Sequence, residues 1–138
     1  MKPRYLIGID PGVKTGYAIY DRKDKKLTTV ETRNIISAMQ QTTWRLADED
    51  GIELWFEDSR LRRWFGNTGR EVLQGVGSVK RDSSIWETFC GYYCIKYKAI
   101  APKDTTTKVK SDYFKKLTGW EGRTSEHSRD AGLLVFGG

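Results

Sequence analysis

Short apolar runs alternate with polar turns in the N-terminal part of the chain. Arg4–Asp10 is largely apolar and ends at Asp10-Pro11-Gly12, where turn-forming residues force the chain to reverse. Thr15–Asp21 is a second run of this kind, and Lys26–Asn34 is a third that is rich in Thr and Val. The pattern predicts three strands that pair as an antiparallel meander.

The rest of the chain alternates between helical and strand patterns. A helix is predicted from its N-cap at Ser37 to about Asp50, and Gly51 ends it. The apolar stripe of this helix consists of Met39, Trp44, Leu46 and Ala47. The elements predicted after it are a strand over Ile52–Glu57, a long helix over Arg70–Tyr97, a strand over Lys98–Ala101, and helices over Lys108–Leu117 and Ser125–Phe136.

This order of elements predicts an α/β fold, with a mixed five-stranded sheet and helices on both of its faces. Within the strand Ile52–Glu57, Leu54 and Phe56 share one face, whereas Glu57 lies on the other face at the C-terminal end. The 138 residues suffice for one hydrophobic core, and two smaller cores would each be marginal. We therefore expect a single domain over 1–138.

The composition is typical of a soluble globular protein. Hydrophobic residues make up 38% of the chain and charged residues 30%, which argues against a membrane protein or a disordered tail. Apolar runs such as Tyr5–Ile9 are too short to span a bilayer, and Met1–Arg4 begins no signal-peptide pattern. The expected location is the cytoplasm.

The chain is basic. It has 24 Lys and Arg against 18 Asp and Glu, which gives a net charge of +6 and a pI near 9.3. This excess favours a polyanionic partner such as nucleic acid, because Lys and Arg displace counterions from phosphates. The same charge serves only solubility in many proteins, so charge by itself leaves both interpretations open.

Cys90 and Cys94 are the two cysteines of the chain. They lie one helical turn apart in the predicted long helix, a spacing that rarely meets the geometry of a disulfide. Since His127 is the single histidine, no zinc site can be assembled within one chain. We expect both cysteines to be buried, reduced thiols.

Acidic residues stand where strands end and where the last helix begins. Asp10 and Glu57 each close a predicted strand, and Glu126, His127 and Asp130 share a helical face. If the two strands are neighbours, the carboxylates converge and offer the oxygen ligands that Mg²⁺ and Mn²⁺ prefer. Structural roles remain open, because Asp-Pro-Gly is ordinary turn chemistry and Glu126 suits the first turn of a helix. We place Glu126 outside the metal ligands.

Three sequence blocks together indicate a family. Ile7-Gly8-Ile9-Asp10-Pro11-Gly12 precedes Thr15-Gly16-Tyr17-Ala18, Glu57 follows Leu-Trp-Phe, and His127-Ser128-Arg129-Asp130-Ala131 lies in the last predicted helix. In this order the blocks resemble RuvC-type Holliday junction resolvases, in particular small phage-encoded members. The resemblance covers nearly the whole chain and implies a ribonuclease-H-like fold.

The resemblance implies a structure-selective endonuclease that resolves Holliday junctions and other branched DNA in recombination and repair. By this resemblance Asp10, Glu57 and Asp130 bind metal, with two Mg²⁺ ions in each active site that Mn²⁺ can replace. His127 would be a fourth ligand or a proton-transfer group near the attacking water. The reaction would be hydrolysis of a phosphodiester bond.

Basic residues accompany these acidic blocks. Lys110 resembles the residue that family members place beside the scissile phosphate, where it would take part in catalysis, with Lys103 and Lys108 behind it. The other DNA-contact candidates are Arg60, Arg62, Arg63, Trp64, Phe65, Arg70, Lys80 and Arg81. Cations can hold phosphates while an aromatic ring stacks on an unpaired base at a branch point. The ordinary alternatives are solvated lysines and rings that pack under their own loop.

The resemblance further implies a homodimer, because two active sites must face two symmetric strands of a four-way junction. Family members use the long helix for this interface. Its apolar side here consists of Val76, Val79, Ile85, Trp86, Phe89 and Tyr93. The same residues would also suit ordinary packing against the core.

Other functions share parts of this pattern. The first block also resembles the phosphate hairpin of actin-like and sugar-kinase-like ATPases, which need two such domains around a nucleotide. Two further interpretations are a YqgF-like nuclease that processes RNA and a non-catalytic module that binds branched DNA. The blocks around Glu57 and His127–Asp130 fit the resolvases better than the YqgF-like nuclease, and the filled acidic positions argue against a non-catalytic module.

Overall fold

Strands form where the apolar runs predict them. The computed structural model describes residues 2–61, 70–102 and 108–138, and for 70–79 it describes the backbone alone. The strands are β1 (Tyr5–Asp10), β2 (Lys14–Asp21), β3 (Lys26–Asn34), β4 (Ile52–Glu57) and β5 (Lys96–Ile100).

These strands make one sheet in the order β3-β2-β1-β4-β5. Strand β2 pairs antiparallel with both β1 and β3, whereas β4 pairs parallel with both β1 and β5. The predicted mixed, five-stranded α/β sheet is therefore confirmed. The parallel pairing of β1 with β4 also meets the condition under which Asp10 and Glu57 were expected to converge.

Four helices cover the sheet in the described ranges. They are α1 (Ile35–Trp44), α2 (Arg70–Tyr92), α3 (Ser111–Thr118) and α4 (Glu126–Val135). Single 3₁₀ turns follow α1 at Arg45–Ala47 and β4 at Ser59–Leu61. None of these helices is long and apolar enough to cross a membrane.

Alternate residues of the central strands face two separate apolar layers. On one face, side chains such as Ile7, Ile9 and Phe56 pack with Trp86 of α2. On the other, Leu6 and other strand residues pack with helices α3 and α4. The second layer consists of Leu6, Ala18, Tyr20, Leu27, Val30, Phe114, Ala131 and Val135. Helices therefore lie on both faces, as the order of elements predicts.

Helix α1 begins earlier than the sequence pattern predicts. Its N-cap is Asn34, whose side chain accepts a 2.8 Å hydrogen bond from the backbone amide of Ser37. This start places Ala38 and Thr42 in the buried face and leaves Trp44 63% exposed. The predicted N-cap Ser37 was wrong, because both Asn and Ser suit an N-cap and the earlier one sets the helical phase. Of the predicted apolar stripe, Met39 packs against the core, whereas Trp44, Leu46 and Ala47 are exposed.

Helix α2 ends at Tyr92, five residues before the predicted end at Tyr97. Cys94 follows with a φ of 55°, and this left-handed turn leads into β5. Cys90 is buried and Cys94 is exposed, and both are free thiols. The expectation of two buried cysteines was wrong for Cys94, because the helix ends between them.

The apolar side predicted for α2 is buried in part. Trp86 is completely buried and Phe89 nearly so, whereas Ile85 and Tyr93 remain about two-fifths exposed. Val76 and Val79 belong to the segment whose side chains lie outside the described residues. The helix runs through Lys80-Arg81-Asp82 without a break.

Helix α4 packs unusually close to β1 and β2. A Cβ atom at Gly16 would collide with the carbonyl oxygen of His127, and one at Gly8 would collide with that of Ala131. Both glycines stand on the α4 face of the sheet, so no side chain separates the helix from the strands. This contact holds the start of α4 directly beside Asp10.

A partly buried ion pair joins Arg4, just before β1, to Asp21 at the end of β2. Arg4 donates to Asp21 Oδ1 from Nε at 3.0 Å and to Oδ2 from Nη2 at 2.8 Å. The guanidinium also reaches Asp50 at 3.2 Å. Hydrogen bonds from Arg4 lower the pKa of the Asp21 carboxyl to about 2.

We expect Gly16→Ala to destabilise the fold by at least about 2 kcal/mol, because the new methyl group would push α4 away from the sheet. Gly91→Ala is the matched control, since nothing lies within 4 Å of a Cβ atom there. In helix α2 the control should be neutral or stabilising by about 0.5–1 kcal/mol. Urea unfolding of both variants measures the difference. Equal stability of the two would contradict the close packing.

The Arg4–Asp21 pair should make stability depend on acid pH. Because the folded pKa of Asp21 is depressed, its contribution is present above pH 4 and is lost as pH falls towards 2. Asp21→Asn should therefore remove roughly 2 kcal/mol at pH 6 and much less at pH 2.5. Chemical unfolding at both values tests this. A cost that does not change with pH would contradict the assignment.

Candidate active site

Asp10 and Glu57 lie side by side at the C-terminal ends of β1 and β4. The parallel register pairs Ile9 with Phe56, so the next residue of each strand is one of the two carboxylates. Neighbouring strands run about 4.8 Å apart. Since Leu54 and Phe56 face the α2 layer, the alternation of side chains turns Glu57 towards α4. Both acidic side chains thus share the face that α4 covers.

Hydrogen bonds fix the backbone around Glu57. Ser83, which is buried on α2, donates from its hydroxyl to the Glu57 carbonyl at 3.2 Å. The amide of Asp58 donates to the carbonyl of Ile100 at 2.7 Å, which continues the β4–β5 pairing beyond the last strand residue. These contacts come from distant parts of the sequence, and no local motif signals them.

Helix α4 brings His127 and Asp130 to the same site. Ser125 caps the helix by accepting a hydrogen bond from the Ser128 amide, while the Ser128 hydroxyl accepts one from the Ser125 amide. From the first turn, His127 Nδ1 lies 3.0 Å from Asp10 Oδ2. Asp130 follows at the i+3 position on the same face. The helix therefore begins where the sequence pattern predicts it, with Ser125 as its N-cap.

Asp10 is in an environment that disfavours its negative charge. The side chain is 14% exposed, and its burial raises the pKa of the carboxyl. The hydrogen bond with His127 opposes this rise, and repulsion from Asp130 adds to it. A carboxylate in this position is stabilised by any nearby cation.

Lys108 supplies a positive charge beside Asp130. Its Nζ atom lies 2.9 Å from Asp130 Oδ2 and 3.8 Å from Glu126 Oε1. The hydrogen bond to Asp130 raises the pKa of the lysine, and the charge of Asp10 adds to the effect. Lys108 is therefore the lysine that contacts the predicted ligands, although the sequence favoured Lys110.

Lys110 has a different position. It is the N-cap residue of α3, where its side chain makes no capping hydrogen bond, and it is exposed. Among the described residues, no ion pair involves it. Lys103 lies outside the described residues.

Arg60 is engaged within the protein. It binds both oxygens of the buried Asp58 and also contacts Glu87 of α2 at 2.7 Å. The hydrogen bonds from Arg60 lower the pKa of Asp58. Arg60 was expected to contact DNA, and the structure gives it a role in closing the turn after β4. The sequence signal that could have indicated this pairing is Asp58, which follows Glu57 and lies two residues before Arg60.

The other DNA-contact candidates are placed only in part. Lys80 and Arg81 are exposed on α2, and Arg70 is described by its backbone alone. Arg62, Arg63, Trp64 and Phe65 lie outside the described residues.

An open groove of about 690 Å³ lies beside His127. It separates the β2 and β3 ends from the start of α4, and hydrogen-bonded Thr32 and Ser125 span it at its base. The groove is lined by Val13, Lys14, Thr32, Arg33, Asn34, Ser125, Glu126 and His127. Sequence analysis did not identify Lys14 or Arg33, because their strand positions carry no motif.

The donor set fits a hard divalent cation in its chemistry. Asp10, Glu57 and Asp130 supply carboxylate oxygens, which Mg²⁺ and Mn²⁺ prefer. In the described part of the chain, no three His, Cys, Asp or Glu side chains are grouped closely enough to hold one ion. Instead, Asp10 contacts His127, and Asp130 contacts Lys108.

No family model matches the chain, and no curated protein matches it. Thirteen chains of solved structures do match. One is RuvC of T. thermophilus in complex with a Holliday junction substrate, with a TM-score of 0.55 and 14% sequence identity. The match covers 92% of this chain and 87% of that one. At this identity the likeness shows the fold, so the chain has a RuvC-like fold.

Proposed function

We propose that the protein is a metal-dependent endonuclease that cuts branched DNA, with four-way junctions as its main substrate. The observation that carries this proposal is that Asp10 and Glu57 end neighbouring parallel strands, while Asp130 of α4 lies close enough to Asp10 for its charge to raise the pKa of that carboxyl. The approach of Asp130 to Asp10 gives no evident structural benefit, because like charges repel one another. The similarity to a RuvC protein solved with a Holliday junction supports the choice of substrate.

The proposed metal ligands are Asp10, Glu57 and Asp130, with His127 as a fourth ligand or as the proton-transfer group. Two bound Mg²⁺ or Mn²⁺ ions would activate a water molecule and stabilise the leaving oxygen of a phosphodiester. Asp10, which would supply part of the negative charge that this requires, is already largely withdrawn from solvent. Binding of cations there would relieve the repulsion between Asp10 and Asp130.

His127 is positioned to handle a proton beside this site. Its Nδ1 atom is held by Asp10, while the side chain remains 49% exposed. The Asp10 contact fixes the ring orientation and leaves Nε2 as the nitrogen that would take part in proton transfer or bind a metal. Lys108 and Lys110 would hold the DNA phosphate from the other side of the site.

DNA contact and dimer formation extend the proposal beyond the site. We assign phosphate contacts to exposed cations of α2, with Lys80 and Arg81 as the described candidates. Arg62, Arg63, Trp64, Phe65, Arg70 and Lys103 stay in the proposal on sequence grounds. A homodimer through α2 would present two active sites to the two symmetric strands of a junction.

Asp10→Asn should abolish cleavage of a labelled four-way junction in Mg²⁺ or Mn²⁺, with a loss of more than about 100-fold. Wild type should give paired nicks near the branch point, no product in EDTA and little product from the matching linear duplex. Glu121→Gln, an exposed carboxylate in the loop before α4, is the matched control and should cut normally. The assay separates the product strands on a denaturing gel.

Each other outcome of this assay identifies a different function. Equal cleavage of the linear duplex would remove junction selectivity. Cleavage of RNA alone would indicate an RNA-processing nuclease, and tight junction binding without cleavage in either metal would indicate a binding module. Full activity of Asp10→Asn would contradict the assignment of Asp10 as a ligand.

The same substitution should stabilise the metal-free fold. The folded pKa of Asp10 is raised, so wild type loses stability as pH rises above about 4, where the unfolded carboxyl ionises. Asparagine keeps an oxygen for His127 without the charge. In EDTA at pH 7 we expect a melting temperature roughly 2–5 °C above wild type, with a smaller difference at pH 4. A melting temperature below wild type at pH 7 would show that the Asp10 charge is favourable.

A further inference from the structure

Arg129 connects α4 to the segment that carries Lys108. Its Nε atom donates to the carbonyl of Val109 at 2.8 Å, and its Nη1 atom donates to Thr124 Oγ1 at 2.9 Å. The side chain is half-buried. Both acceptors are neutral, so these two contacts of Arg129 position the backbone and Thr124 and are not ion pairs.

The neighbouring residue on α4 holds the same segment. Asp130 binds the ammonium of Lys108, while Arg129 binds the carbonyl of the very next residue, Val109. A lysine side chain has four rotatable carbons, so one exposed ion pair holds it only weakly. Fixing the adjacent peptide lowers the number of positions that the Lys108 ammonium can adopt.

The position of Lys108 also affects cation binding. Its ammonium lies against Asp130 and is attracted by Asp10 and Glu126, so it faces carboxylates from β1 and from α4. A divalent ion on Asp130 would either displace the ammonium from Oδ2 or share the carboxylate with it. Displacement costs the Lys108–Asp130 ion pair, and sharing places two cations close together, so both arrangements weaken binding of the ion.

We propose that Arg129 is a positioning residue that keeps Lys108 at the carboxylates, and that Lys108 competes with divalent cations for Asp130. The inference rests on the proposed function for the presence of a metal site. Arg129 thereby sets how tightly that site holds its ion. It also keeps Lys108 close to the place where a substrate phosphate would enter.

The test measures Mn²⁺ binding without DNA, by calorimetry and by the electron spin resonance signal of free Mn²⁺. Lys108→Met and Arg129→Met should each tighten Mn²⁺ binding by about threefold to tenfold. The double variant should bind no more tightly than Lys108→Met, because both changes act through the same ammonium. Arg123→Met removes an exposed arginine nearby and should leave Mn²⁺ affinity unchanged.

Arg129→Lys separates geometry from charge. It keeps the charge but cannot reach both acceptors, so it should behave like Arg129→Met for Mn²⁺ affinity. Wild-type affinity in Arg129→Lys, or additive effects in the double variant, would show that Arg129 acts by its own charge and would overturn the inference. Lys108 is 58% exposed, so Lys108→Met should fold even if Arg129→Met does not.

The result also separates this inference from the proposed function. Wild type that binds no Mn²⁺ would overturn both the competition and the proposed metal site. Tight Mn²⁺ binding with unchanged affinity in Lys108→Met would overturn the inference and leave the metal site standing. The expected pattern of affinities in a protein that cuts no junction would support the inference and contradict the nuclease.

Discussion

The close approach of α4 to β1 and β2 decides where every candidate catalytic group lies. Gly8 and Gly16 leave no side chain between the strands and the helix, so the carbonyls of His127 and Ala131 rest on the sheet backbone. Any larger residue would lift the start of the helix. At the greater distance His127 could not reach Asp10, and Asp130 would no longer repel it. The close approach of α4 to the sheet therefore determines both the packing of this helix and the electrostatic environment of Asp10.

That packing brings negative charges together and makes a compensating cation necessary. Asp10 is nearly buried, and Asp130 stands close enough to raise its pKa. In this state His127 is hydrogen-bonded to one carboxylate and Lys108 is ion-paired with the other. A site arranged in this way suits the exchange of the Lys108 ammonium for an external cation, which the proposed metal-dependent function requires.

The strands and their acidic ends could be predicted from the sequence, because alternation of side chains and the Asp-Pro-Gly turn are local signals. Details that depend on distant contacts could not. Asn34 and Ser37 are both good N-caps, and only packing against the sheet selects the first. Likewise, the spacing of Lys108 and Lys110 cannot decide which one reaches Asp130, since the segment before α3 follows no regular period.

Fewer of the 24 Lys and Arg residues are available to a polyanion than their number suggests. Arg60 is ion-paired with Asp58 and Glu87, and Arg4 is ion-paired with Asp21 and Asp50. A guanidinium that closes a turn or joins two strands cannot also follow a DNA backbone without breaking a contact of the fold. Affinity for a phosphate chain must then come from cations outside such pairs, and by the proposed function Lys108 would be shared between the carboxylates and an incoming phosphate. The salt dependence of binding should therefore correspond to fewer phosphate contacts than the 24 Lys and Arg of the chain would allow.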